Sequence, residues 1–158
     1  MRKVGFMFFV LLLFNCNSKT CFEERSINEL KNIFSKDTLN NEYYNSLKEY
    51  KLTKEDIDLI DELIKKAFIE FNSNLNRGGY RLKKLPSFKE YGYILSPYID
   101  KLGGKRVQIN ASWNDDECPE LGSLEEWYGV MDGGNSLIRL NINLSTKTVS
   151  YIMPNGEA

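Results

Sequence analysis

Apolar residues in this chain change their spacing once, and that change dictates a fold of two unlike parts. Over "LTKEDIDLIDELIKKAFIEFNSN" they recur every three or four positions, so Ile57, Ile60, Leu63, Ile64, Ala67, Phe68 and Phe71 form one stripe of a helix. Thr53 with Asp56 three residues on is a capping pair, and acidic residues crowd the first turn, where the helix dipole favours them. The spacing predicts a helix over about 54–72, ended by Asn72-Ser73-Asn74 and Gly78-Gly79.

After Pro86 the period becomes two, with aromatic and β-branched residues between turn signals. "YGYILSPYI" reads as a strand interrupted near Pro97. "KRVQINASW" places Val107, Ile109, Ala111 and Trp113 on one face and Arg106, Gln108, Asn110 and Ser112 on the other; "SLIRLNINL" and "TVSYIM" continue the pattern. Nearer the N-terminus, "SINE" has Ser-x-x-Glu capping spacing ahead of Ile27, Leu30, Ile33 and Phe34, which predicts a short helix over about 26–35. The expected fold class is therefore α+β, with N-terminal helices packed on a C-terminal antiparallel β-sheet, a meander, and the long helix covering one sheet face.

The chain contains no histidine, which removes the base of Ser-His-Asp and Cys-His catalysis and the usual nitrogen ligand of zinc. Its net charge of −1 gives no electrostatic reason to expect a nucleic-acid partner. What survives is carboxylate, lysine or oxygen-ligated metal chemistry. In "NDDECPELGSLEEW", Asp115, Asp116 and Glu117 are the candidate calcium ligands, and Asp115, Asp116, Glu125 or Glu126 the candidate acid and base for glycoside hydrolysis. The spacing matches no calcium loop, so a solvated loop is expected, with no metal, cofactor or catalytic residue assigned. Trp113, Trp127 and Tyr128 are the candidate binding residues, since aromatic rings line grooves for sugars and peptides; core packing uses the same residues. "DGGNS" (Asp132 to Ser136) offers an anion-binding nest or a plain turn, and the strand that follows favours the turn.

The first 15 residues have the layout of a secretory signal: Arg2 and Lys3, then an apolar run from Phe6 to Phe14 that is too short to span a bilayer, which needs about 20 residues. The run stops at Asn15-Cys16 and a polar stretch begins, an arrangement that resembles the lipobox of bacterial lipoproteins. Cys16 is then the lipidated residue, 1–15 the signal peptide, 16–25 a tether and 26–158 a single domain. Ordinary cleavage after Ser18, which would release the protein to the periplasm, and an uncleaved anchor are the alternatives. Cys21 and Cys118 would remain as a possible disulfide in an oxidising compartment, or as two thiols.

Asp132-Gly133-Gly134-Asn135, Asn143-Leu144-Ser145-Thr146 and Asn155-Gly156-Glu157-Ala158, with the strands between them, resemble the C-terminal third of small uncharacterised exported proteins and lipoproteins of the Bacteroidota. That resemblance implies an outer-membrane lipoprotein, facing the periplasm or the surface, and implies no catalytic residues. The functional expectation is a membrane-anchored, non-catalytic binding module for a protein, peptide or glycan. A small carboxylate-dependent hydrolase of envelope polysaccharide and a purely structural lipoprotein stand as alternatives.

Overall fold

A computed structural model describes residues 20–35, 41–75, 83–113, 121–130 and 133–155. The elements run β1 (Cys21–Glu24), α1 (Ile27–Phe34), α2 (Asn41–Ser46), β2 (Lys48–Glu49), α3 (Lys54–Asn74), β3 (Tyr91–Ile99), β4 (Lys105–Trp113), α4 (Leu124–Gly129), β5 (Leu137–Asn143) and β6 (Thr148–Pro154). Strands β3 to β6 form the expected antiparallel meander, and the fold is α+β.

Helix α3 begins where its capping box requires: Thr53 Oγ1 accepts from the Asp56 N–H, and the Asp56 carboxylate accepts from the Thr53 N–H. Its stripe of Ile60, Leu63, Ile64, Ala67 and Phe68 is buried against the odd-numbered residues of β3 and β4 and the even-numbered residues of β5. Burying one such side chain contributes about 1.5–3 kcal/mol, so this interface outweighs the intrinsic helix propensity of α3. Tyr91 and Tyr93 lie in the same layer. Their hydroxyls donate to the carbonyls of Asn135 and Phe88, both at 2.6 Å, which removes the cost of burying them.

The segment expected to be a tether enters the sheet. Residues 21–24 are β1, parallel to β3 from Cys21 opposite Gly92 to Glu24 opposite Leu95, and the Phe22 ring meets Tyr93 at 5.6 Å. The backbone of β3 would otherwise leave its outer donors and acceptors unpaired beneath side chains, and β1 and β2 share that edge end to end. The expected interruption at Pro97 is absent, because β3 is continuous. Leu95 O accepts from Arg25 N on the outer edge, so by alternation Pro97 points its missing N–H to that edge too, between the end of β1 and the end of the antiparallel β2. The ladder to β4 loses nothing.

The second face of the sheet, polar by alternation, is also covered. Helices α1, α2 and α4 lie over it around Ile27, Leu30, Leu47, Ile94, Tyr98 and Leu124. Part of the stretch expected to be an acidic loop is α4, closed by a capping box between Ser123 and Glu126. In the DGGN segment Gly134 has φ +49° and starts the turn into β5, while a Cβ on Gly133 would sit 2.7 Å from the Leu137 side chain. Asp132 lies outside the described residues. Cys21 is disulfide-bonded; Cys118 and Cys16, and with them the expected pairing and lipidation, lie outside the described residues.

Leu63→Asp should unfold the domain, costing at least about 3 kcal/mol by placing an unpaired charge against the sheet. Lys65→Asp, on the exposed side of α3, should shift stability by less than about 0.5 kcal/mol. Denaturant titration of both variants checks the docking of this helix; equal sensitivity would contradict it.

Candidate functional site

One register row crosses the helix-covered second face: Ser96 on β3 lies opposite Gln108 on β4, Gln108 opposite Asn141 on β5, and Asn141 opposite Tyr151 on β6. All four are polar, and Ser96, Gln108 and Asn141 are buried. Asn141 Nδ2 donates to Gln108 Oε1 at 3.2 Å and to the Tyr98 hydroxyl at 3.0 Å, and the Tyr151 hydroxyl donates to Gln108 Oε1 at 2.9 Å. Unpaired buried amides would cost about 1–3 kcal/mol each, so these bonds between Gln108, Asn141 and Tyr151 offset most of the cost of the row.

A cavity of about 290 Å³ opens above this row. Its floor is Tyr98, Arg106, Gln108, Asn141, Ser150 and Tyr151 from the sheet; its walls are Ile27 and Leu30 of α1, Tyr43 and Tyr44 of α2, and Leu47. Tyr43 and Tyr151 are 43% and 42% exposed and form the rim. A β-bulge in β6 shapes the floor. Asn141 pairs with Tyr151 but Ile142 pairs with Val149, so Ser150 is the extra residue and its hydroxyl accepts from Arg106 Nη1 at 3.3 Å.

Electrostatically the cavity is close to neutral. Arg106 Nε donates to Asp100 Oδ2 at 2.6 Å, and this contact, with backbone donors at Gly104 and Leu102, holds the Asp100 carboxyl below the usual range. None of the described lining residues is Asp, Glu or Lys. Burial pushes the phenols of Tyr44 and Tyr98 well up, and neighbouring tyrosines add to the effect. The cavity thus presents amides and un-ionised hydroxyls beside an ion pair already closed on itself. Gln108 Nε2 has no partner among the described residues, so a donor on the floor stays uncommitted.

Next to this row, Asn110 lies opposite Ile94 and Arg139. The Tyr128 hydroxyl donates to Asn110 Oδ1 at 3.4 Å, and the Arg139 guanidinium stands 5.2 Å from the Trp127 ring and 5.0 Å from that of Tyr128. Among the described residues, Ser96 Oγ, Asn110 Nδ2 and Trp127 Nε1 are buried without a hydrogen-bond partner.

Of the expected binding residues, the structure brings Trp127 and Tyr128 together, edge to face at 5.1 Å, but Trp127 is only 6% exposed and serves the core. Trp113 is not with them. It ends β4 on the α3 side by alternation, 40% exposed, with Nε1 donating to Glu90. Of the expected carboxylates, Glu126 is spent on the α4 cap and Glu125 is exposed, while Asp115, Asp116 and Glu117 lie outside the described residues. Among the described residues no group of three His, Cys, Asp or Glu side chains is placed to hold a metal ion, and no helix is long and apolar enough to cross a membrane. The residues that line the cavity went unrecognised in the sequence, although Asn is depleted in strands and "QIN" and "NIN" put amides at alternate strand positions.

No protein family matches the chain, and no characterised protein or solved structure is significantly similar to it.

Burial pushes the Tyr128 phenol up to about 12, against the pull of Arg139, and Tyr91 and Tyr93 are raised further by the same cause. A phenol with a raised folded-state pKa keeps its proton after the unfolded chain has lost it. Stability should therefore be whole below pH 10.0, the ordinary phenol value, and fall as pH climbs toward 12. Each buried phenol adds a slope of about 1.4 kcal/mol per pH unit. Tyr128→Phe should make the alkaline loss of circular dichroism shallower; an unchanged slope would contradict this burial.

Proposed function

We propose that this chain is a membrane-anchored envelope lipoprotein whose domain is a non-catalytic binding module, and that the cavity beneath α1 and α2 is its recognition site. The observation that carries the proposal is the Gln108–Asn141–Tyr151 row, hydrogen-bonded to itself on one side and open to a cavity with a free donor on the other. Binding sites set a few fixed polar groups against apolar walls, and here a polar floor faces the apolar side chains of Ile27, Leu30 and Leu47. A carboxylate hydrolase finds less support, because Asp100 is the acid beside the floor and Arg106 holds it. The oxidised state of Cys21 suits an exported compartment, where disulfides persist. The anchor itself rests on the sequence around Cys16.

Titrating isotope-labelled full-length protein with a panel of neutral monosaccharides and blocked dipeptides should move backbone resonances at 107–109 and 140–142 for at least one probe. Shifts confined to other regions would overturn the assignment of the site. Cys16→Ala should abolish acyl labelling and release the protein from the membrane fraction; continued labelling would remove the anchor.

A further inference from the structure

The geometry points to a neutral, N-acetylated sugar ring as the group this cavity receives. The inference rests on the cavity being the recognition site and adds the chemistry of what enters it. Charge decides the first step. The cation on the floor, Arg106, is bound to Asp100 at 2.6 Å and also reaches Asn141 Oδ1 at 3.5 Å and Ser150 Oγ at 3.3 Å, so its charge is neutralised within the protein. A carboxylate or phosphate would have to compete with Asp100, and a cationic ligand would find no acid on the described lining.

Hydrogen-bonding type decides the second. Tyrosine hydroxyls both donate and accept, and the Gln108 amide still has its two N–H donors to give. Groups of this kind match ligand hydroxyls, which also do both, and the amide N–H matches an acyl oxygen. Shape and apolarity decide the third. About 290 Å³ is near the lower end of small-molecule sites and admits one ring rather than a chain of them. Ile27, Leu30 and Leu47 make one wall apolar, a surface suited to an acetyl methyl, while Tyr43 and Tyr44 add aromatic side chains of the kind that sugars contact through their C–H groups. The two exposed tyrosines of the rim leave the ring's far hydroxyl in solvent, so the group can be the end of a longer glycan.

The test is calorimetric titration of the full-length protein with N-acetylglucosamine, glucose, glucuronate and N-acetylalanine methylamide. N-acetylglucosamine is expected to bind about tenfold tighter than glucose, with glucuronate no tighter than glucose. Gln108→Glu keeps an oxygen that accepts from Asn141 and Tyr151, takes away the free donor and adds a negative charge at a buried position. It should lower the melting temperature and, in the protein that stays folded, weaken N-acetylglucosamine about tenfold. Tyr43→Ala, at the rim, should weaken it as well without loss of fold. Glucuronate binding tighter than either neutral sugar, or N-acetylglucosamine affinity unchanged in both variants, would overturn the inference. Binding of the blocked amino acid alone, lost in Gln108→Glu, would overturn the sugar while leaving the cavity as the site. Binding of none of the four probes would remove both.

Discussion

The inner strands β3, β4 and β5 are largely buried on both faces and have no solvent side on which to place polar residues, and this constraint governs the domain. On the α3 side the strands meet it with Val107, Ile109, Leu140, Ile142 and their neighbours. On the other side they keep amides and hydroxyls at positions where water is largely excluded. Those groups must therefore pair across strands. Gln108, Asn141 and Tyr151 do so in one register, while Ser96 Oγ and Asn110 Nδ2 find no partner among the described residues: a slip of one residue would bring Ile109 and Leu140 into the polar row and send Gln108 and Asn141 against α3. The buried row thus fixes strand alignment as firmly as the apolar core does, and its hydrogen bonds have a direction that apolar contacts lack.

Much of the first layer was legible in the sequence because helical spacing and capping chemistry are local. Thr53 and Asp56 mark the start of α3, and Ser26 marks the start of α1, accepting from the Asn28 N–H. The same Ser-x-x-Glu signal stands at Ser123, where surrounding acids gave the stretch the look of a solvated loop. Leu124 and Trp127 drive that helix into the core, and their contribution depends on a sheet face distant in sequence. Strand β1 and the continuity of β3 through Pro97 were illegible for a related reason. Both depend on which edge of β3 is paired, a fact of topology that no window of residues contains.

The C-terminal pattern that stands out in the sequence proves to be joinery. Asn135 donates to the carbonyls of Lys83 and Lys84, Asn143 accepts from the Thr146 N–H in the hairpin turn, and Asn155 donates to the carbonyl of Val130 while its own N–H reaches Leu137 O. These asparagines bind backbone to backbone at points where strands begin and end. The cavity uses other residues, drawn from α1, α2 and four strands, and so leaves no contiguous motif. Recognition by pattern finds the seams of this fold, and the site must be assembled from register.

The bulge at Ser150 also bears on how the protein behaves beside copies of itself. Strand β6 ends the sheet, and an outer strand with regular spacing would be a template for another chain. The extra residue breaks that spacing midway, and Pro154 closes the strand with a residue that offers no N–H. At the opposite margin, β1 and β2 are short, four and two residues. Neither margin gives a foreign strand a long, even run of partners, so the sheet resists edge-to-edge aggregation, and crowding would not by itself drive these domains together.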